Sequence, residues 1–281
     1  MQNKICLVTG ANSGIGKETA LALAEKGATV VMICRDQARG EAARQEIIEQ
    51  SGNNAVDLLI ADMSSQQSIR QVAAKFQQKY DALHVLVNNA GAAFRGRQES
   101  VDGVELTFAL NHLGYFLLTD LLLETIKASA PARIVNVASD AHKGANFDLD
   151  DVQLTKKYAL FKAYANSKLA NVLFSNELDR RLNATEDSGV TVNSLHPGVV
   201  RTNIWGGMIP LLGPIIRFIG RFVMRTPEEG ATTSIYLASS PEVDGVSGKY
   251  FVDCAEKYPS RLAQDEDAAR KLWEVSEGLC L

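Results

Sequence analysis

Residues 5–16 read ICLVTGANSGIG, and the reading of this stretch decides the fold. Its first five positions are nearly all apolar, without polar alternation, as in a strand covered on both faces. Three glycines, Gly10, Gly14 and Gly16, then lead into GIGKETALALAEKGA. There Ala20, Leu21 and Ala24 recur at helical spacing and Gly27 stands where a helix would stop. Strand, tight turn and helix in direct succession are the opening unit of a parallel α/β sheet. The helix N-terminus offers free N–H groups and the positive end of its dipole, so the turn suits an anion such as a pyrophosphate. Asn12, Ser13 and Ile15 ride on the same turn and join the three glycines as candidate contacts. The spacing is G-x-x-x-G-x-G and not G-x-G-x-x-G, so a plain glycine-rich turn without a ligand is the competing reading of these residues alone.

The unit repeats along the chain. Apolar runs at 29–34 (TVVMIC), 56–61 (VDLLIA), 84–88 (HVLVN), 133–139 (RIVNVAS) and 190–196 (VTVNSLH) alternate with segments of helical periodicity. Right-handed crossovers between such runs give a Rossmann-type, doubly wound parallel α/β sheet. A chain of 281 residues with 46% hydrophobic content and no linker-like stretch reads as a single domain over 1–281. A net charge of -4, with no basic tract, argues against a nucleic-acid partner. The four cysteines Cys6, Cys34, Cys254 and Cys280 have no metal-ligand or C-x-x-C spacing, so no metal is expected and reduced thiols are. The first strand run starts at once, which leads to the expectation of a soluble, cytoplasmic protein without a transmembrane anchor.

Ligands of such sheets lie at the carboxyl ends of the strands. The second run ends in Cys34, followed by Arg35, where a carboxylate would otherwise accept from an adenosine ribose. A guanidinium there favours a 2'-phosphate, hence NADP(H) over NAD(H). Asp36, next in the chain, weakens that preference if it turns inward, and a solvated Arg-Asp turn is the alternative. After the third run Asp62, with Met63 beside it, is placed to accept from an adenine amino group. Asn88, Asn89, Ala90 and Gly91 after the fourth are placed to pass near the adenine ribose. Either group could instead cap the following helix.

Residues 157–173, KYALFKAYANSKLANVL, hold two Tyr-x-x-x-Lys pairs, Tyr158 with Lys162 and Tyr164 with Lys168. Spacing of four puts phenol and ammonium on one helical face. An ammonium about 5 Å away at an effective dielectric of about 20 favours phenolate by roughly 3 kcal/mol, about two pKa units. That makes a tyrosine a usable acid and base near neutrality. Tyr158 and Lys162 follow two lysines in a polar approach to the helix. Tyr164 and Lys168 sit among Ala163, Ala165, Ser167 and Ala170, small residues that permit close packing against a cofactor or helix. The second pair is therefore the functional one, and Tyr158 a packing or rim residue. Ser139, ending the fifth run, would point its hydroxyl into the same crevice. Asn111, in FALNHLGYFLLT, offers an amide that could hold a water behind the lysine, bind a backbone carbonyl of a kinked helix, or make a buried helix–helix bond. His112 and His142 receive no catalytic role.

TGANSGIG, Asp62, NNAG at 88–91, Asn111, Ser139, YANSK at 164–168 and HPGVVRT at 196–202 together resemble the short-chain dehydrogenase/reductases, in order and over nearly the whole chain. The resemblance implies a sheet of about seven strands, a nicotinamide dinucleotide and hydride transfer at a carbonyl carbon. It makes Tyr164 the proton donor or acceptor, and gives Lys168 the tuning of Tyr164 and the nicotinamide ribose. Ser139 becomes the carbonyl-oxygen ligand and Asn111 the holder of a relay water. Pro197, Gly198, Val199 and Thr202 become the nicotinamide clamp. ICRD at 33–36, GIGKETA at 14–20 and SDAHKGANFDLDD at 139–151 resemble the retinol dehydrogenase-like branch, which mostly takes NADP(H) and lipophilic alcohols and aldehydes.

Residues 203–230, NIWGGMIPLLGPIIRFIGRFVMRTPEEG, are apolar but broken by prolines and glycines, so a membrane-spanning reading fails. The expectation is a C-terminal substrate lid over about 200–226, with Ile204, Trp205, Met208, Leu211 and Leu212 against a hydrophobic substrate and transient membrane-surface contact. A dimer-contact helix is the alternative. The expected activity is that of an NADP(H)-dependent carbonyl reductase or alcohol dehydrogenase, as a monomer or a homodimer. Competing readings are a cofactor-binding sensor or scaffold without turnover, and a reductase of a tetrapyrrole ring double bond.

Overall fold

A computed structural model of the chain describes residues 1–184, 188–200 and 224–280. The strands are β1 (Ile5–Thr9), β2 (Thr29–Cys34), β3 (Val56–Ile60), β4 (Val85–Asn88), β5 (Ala132–Val137), β6 (Val190–His196), β7 (Lys249–Val252) and β8 (Ala255–Lys257). They form one sheet in the order β3-β2-β1-β4-β5-β6-β7-β8. β1 to β7 run parallel, and β8 returns antiparallel along β7. The helices are α1 (Gly14–Glu25), α2 (Gln37–Ser51), α3 (Gln66–Lys79), α4 (Leu106–Ala128), α5 (Leu160–Leu182), α6 (Pro227–Ser239) and α7 (Glu266–Leu279). This is the doubly wound α/β fold expected from the alternating runs, with an eighth strand beyond the expected seven. β8 is three exposed residues, AEK, so it carries no apolar run for the eye to find.

Alternation of side chains across the strands builds two cores, one on each face of the sheet. Leu7, Val31, Ile33 and Ile134 point toward α3, α4, α5 and α7. Cys6, Val8, Val30, Met32 and Val135 point the other way, toward α1, α2 and α6. A polar seam crosses the first core. Asn88 Nδ2 donates to Thr119 Oγ1 (3.0 Å) and Asn136 Oδ1 (2.9 Å), and Asn136 Nδ2 donates to Ser175 Oγ (2.9 Å). These bonds tie β4, β5, α4 and α5 in one register, since a buried amide left unpaired would be costly.

Local sequence explains where helices start. Asp36 caps α2, Ser65 caps α3 and Asp265 caps α7 by accepting a backbone N–H. Thr226 and Glu229 form a reciprocal capping box at α6, with Pro227 in its first turn. α4 carries a π turn at Ala109–Leu113. It is long and apolar enough to cross a membrane, yet 72% of its apolar window is buried inside the protein, which makes it the central helix of the first core.

α7 lies over α4 and α5. His112 of the π turn meets Ser276 Oγ at 2.8 Å. Trp273 packs edge-on against Phe116 (4.9 Å between centroids) and stacks on Phe174 (5.8 Å), with the Arg181 guanidinium 4.2 Å over its ring. Removing so large a buried ring leaves a cavity. Trp273→Ala is expected to lower unfolding free energy by about 3–5 kcal/mol, read by urea denaturation; a loss below about 1 kcal/mol would contradict this role for α7.

Candidate active site

β1 and β4 are neighbours although β2 and β3 lie between them in the chain, so the connections leave the sheet in opposite directions there. Such a switch point opens a crevice at the strand carboxyl ends. A cleft of about 390 Å³ lies at it, lined by Gly10, Asn12, Ser13, Gly14, Ile15 and Gly16 from the first turn. Arg35, Asp62, Met63, Asn89, Ala90 and Gly91 complete its expected walls. The structure thus brings together, Asn88 excepted, the residues expected to hold the adenosine and pyrophosphate half of a dinucleotide. The cleft also takes walls that the sequence did not mark, among them Ile33, Ala92, Phe94, Leu110 and Pro227. These are apolar residues of β2, of the loop after β4, of the π turn and of the start of α6, indistinguishable in the sequence from core.

The glycine turn is held shut from β4. Thr9 Oγ1 accepts the N–H groups of Asn89 (2.9 Å) and Ala90 (3.0 Å), and Asn89 Nδ2 donates to Thr9 O (2.8 Å). A Cβ on Gly16 would stand 2.4 Å from Asn89 Nδ2 and 2.5 Å from Gly10 O, so only glycine fits where α1 crosses this loop. α1 differs from α2, α3, α4, α6 and α7, whose first turns are capped by a side chain. Ser13 at its N-cap makes no side-chain cap bond, which leaves the first N–H groups of the helix directed at the cleft. Thr9 was read only as the end of a strand; its anchoring role has no signal in the sequence.

Arg35 is exposed at the end of β2 and faces the cleft. Asp36 does not compete with it there, because its Oδ1 accepts Arg39 N–H at 2.8 Å as the cap of α2. Asp62 Oδ1 accepts from both the N–H and the hydroxyl of Ser64 (2.9 and 2.7 Å), while Ser65 is the cap of α3. Asn88 is corrected: it is fully buried in the seam between β4 and β5, below the cleft.

The catalytic candidates meet behind one wall of the cleft. Ser139 caps a 3₁₀ turn (Asp140–Gly144) just past β5, its Oγ accepting Ala141 N–H at 3.2 Å, and its side chain hydrogen-bonds to Tyr164. Tyr164 and Lys168 stand one turn apart on α5 and are 7% and 2% exposed. Lys168 Nζ donates to Val137 O (2.8 Å) and lies 5.8 Å from the ring centroids of both Tyr164 and Tyr115. A Cβ on Gly91 would reach within 3.6 Å of Lys168 Nζ and 3.1 Å of Asn111 Oδ1, so Gly91 separates lysine and cleft by one residue's thickness. Asn111 sits in the π turn. Its Oδ1 accepts Ala92 N–H (2.9 Å), and its Nδ2 donates to Ala92 O (2.9 Å) and Ser167 Oγ (3.0 Å). The Asn111 side chain therefore makes the buried bond that was one of its readings. Tyr158, two residues before α5, donates its hydroxyl to Phe94 O (2.7 Å), as a rim residue should.

The electrostatics differ from the simple pair. Burial raises the Tyr164 phenol, and the Ser139 hydrogen bond opposes it. Burial alone pulls Lys168 down to about 7, so near neutrality the lysine carries only part of the charge that the two-residue argument assumed.

The family model for short chain dehydrogenases matches residues 4–209. The chain belongs to the short chain dehydrogenase family. It is 47% identical to retinol dehydrogenase 14 of Homo sapiens, covering 99% of this chain and 86% of that protein. It is 45% identical to human retinol dehydrogenase 13, covering 98% and 84%. Among solved structures, a putative uncharacterized protein from Mycobacterium paratuberculosis superposes with a TM-score of 0.81 at 32% identity, covering 99% of this chain and 94% of that one. The Pseudomonas aeruginosa RhlG/NADP active-site complex superposes with 0.71 at 27% identity, covering 89% and 94%. This short chain dehydrogenase is thus an oxidoreductase of the retinol dehydrogenase-like kind.

Pro197, Gly198 and Val199 follow β6 at the same carboxyl edge, but they do not line the cleft formed by the described residues. Arg225, which the sequence left unmarked, holds them: its N–H donates to Val199 O (2.8 Å), and its side chain pairs with Asp253. Thr202 and the expected lid residues Ile204, Trp205, Met208, Leu211 and Leu212 lie outside the described residues. No cluster of metal-ligating side chains occurs among the described residues.

Lys168 releases its proton at about 7 when folded and at about 10.4 when unfolded. Between those values the unfolded chain binds more protons, so this group's contribution to stability rises with pH from about 7 to about 10. Lys168→Met should accordingly be more stable than the parent, without added dinucleotide, by a margin constant below pH about 7 that fades toward pH about 10. Urea denaturation across that range reads it, and a margin independent of pH would contradict the shift.

Proposed function

We propose that this enzyme transfers a hydride between NADP(H) and a lipophilic aldehyde, ketone or alcohol. The observation that carries the reading is the Ser139 side chain bonded to a buried Tyr164, with buried Lys168 one helical turn on and the cleft one residue away. The residues fit a dinucleotide: α1 is uncapped where an anion would rest, and the space beside Gly16 and Gly10 admits backbone but no side chain. Arg35 supports NADP(H), since a guanidinium in the wall pairs with a 2'-phosphate and Asp36 is engaged at α2.

When bound, the nicotinamide ring supplies or accepts the hydride. The chain supplies the rest. Ser139 and Tyr164 donate hydrogen bonds to the substrate oxygen and polarise the carbonyl where negative charge develops. Burial keeps Tyr164 protonated at neutral pH, so its phenol passes a proton to that oxygen in reduction, and in oxidation it must first give its own proton to Lys168 before the phenolate takes the alcohol's. Lys168, poised near 7, reloads the phenol and binds the nicotinamide ribose. Asn111 holds the Ala92 loop against Ser167 beneath it.

An apolar substrate is supported by Phe94 and Leu110 in the cleft wall and by exposed Phe161, one turn before Tyr164 on α5. The matched relatives are named for retinol. The free cysteines fit a reducing compartment, and a cytoplasmic location belongs to the same proposal.

With NADPH and a panel of aldehydes and ketones graded in apolar bulk, rates should rise with bulk. Tyr164→Phe should lower kcat by at least about 10²-fold while NADPH affinity stays within about threefold; retained turnover would remove Tyr164 as the acid. NADPH that binds without turnover anywhere on the panel would favour the scaffold reading. Arg35→Glu should weaken NADPH by about tenfold or more relative to NADH, and an unchanged ratio of the two affinities would take Arg35 out of the phosphate site.

A further inference from the structure

His142 lies on the 3₁₀ turn three residues after Ser139 and is 1% exposed. Both of its ring nitrogens are engaged by backbone. Nε2 meets Ser260 N–H at 3.0 Å, and Nδ1 meets Ser139 O at 2.7 Å. A backbone N–H can only donate, so Nε2 is the acceptor, and the proton sits on Nδ1 and is donated to Ser139 O. Burial lowers the affinity of the ring for a second proton, which keeps this tautomer. The ring is braced edge-on by Tyr250 (5.0 Å, 70°), whose hydroxyl donates to Asp140 Oδ1 at 3.0 Å. Ser260 is itself fixed as the cap of a short 3₁₀ turn, Arg261–Gln264, where Ala263 O accepts from Asn176 of α5 (2.9 Å).

We propose that His142 is a positioning residue for Ser139. Its Nδ1–H fixes the carbonyl of Ser139 while Nε2 ties the ring to the C-terminal segment docked on α5. Ser139 is thereby clamped at its carbonyl by the imidazole and at its hydroxyl by Ala141 N–H. The carbonyl, which also accepts the His142 backbone N–H at 3.0 Å, and the hydroxyl are then both held, with the serine side chain in the position that hydrogen-bonds Tyr164. A serine free to swing by an ångström would lose alignment in the transition state more than in ground-state binding. The inference rests on the proposed role of Ser139 in binding the substrate oxygen.

Two substitutions separate positioning from scaffolding. His142→Asn places an amide N–H near the Nδ1 position and keeps the donor to Ser139 O, but loses the acceptor for Ser260. His142→Gln places an amide oxygen near the Nε2 position and keeps the Ser260 bond, but loses the donor. With NADPH and the best aldehyde of the graded panel, His142→Gln should lower kcat by about tenfold, with KM and NADPH affinity within about threefold. His142→Asn should retain kcat within about threefold despite a lower unfolding midpoint. In a Ser139→Ala background, His142→Gln should cause no further loss.

Full kcat in His142→Gln, or equal losses in both variants that track their unfolding midpoints, would overturn the positioning role. Full activity in Ser139→Ala, or no turnover by the parent with any aldehyde, would instead overturn the underlying reading and the inference with it. Loss in Ser139→Ala together with full kcat in His142→Gln would overturn the inference alone.

Discussion

The close approach of α1 to the loop after β4 is the constraint on which the site depends. Two glycines and one asparagine share a space that excludes any Cβ at position 16, and Thr9 holds the loop from below. Because that contact needs β1 and β4 side by side, the sheet order and the cleft are one arrangement. Three of the polar bonds made there are backbone N–H or carbonyl groups answered by Thr9 and Asn89. The free donors at the α1 terminus are left for an anion.

The catalytic side of the cleft is built on the opposite principle. The cofactor side leaves groups open, whereas Lys168, Asn111 and Ser167 are bonded to one another or to backbone and lie almost wholly inside the protein. Burial then sets the chemistry. It raises the phenol and depresses the lysine to about 7, so of the pair it is the lysine, and not the phenol, that exchanges its proton near neutrality. A two-residue electrostatic argument drawn on a helical wheel names this pair but expects a lowered phenol and a full ammonium, because it contains no desolvation.

The C-terminal third ties these parts together. α7 covers α4 and α5, the helices that carry Asn111, Tyr164 and Lys168. Arg225 and Asp253 hold the loop after β6, and Ser260 reaches the turn that starts at Ser139. None of these contacts joins residues near in sequence. They supply rigidity to side chains that touch the cleft, a role that motif reading does not register.

By itself, the amino-acid order determined the alternating strand runs, the glycine turn and most residues that line the cleft, and it set the Tyr164–Lys168 pair apart from Tyr158 and Lys162. Each depends on local signals: periodicity, turn chemistry and the spacing of one helical turn. The tertiary structure decided what depends on distance between remote segments. It placed Asn88 in the core and Asn89 on the turn, set Asp36 to a cap and away from Arg35, and gave Thr9, Arg225 and His142 partners far along the chain. It also brought Lys168 down to about 7, where it keeps only part of its charge, since a pKa in a buried site is set by what surrounds the group on all sides and not by the neighbour four residues away alone.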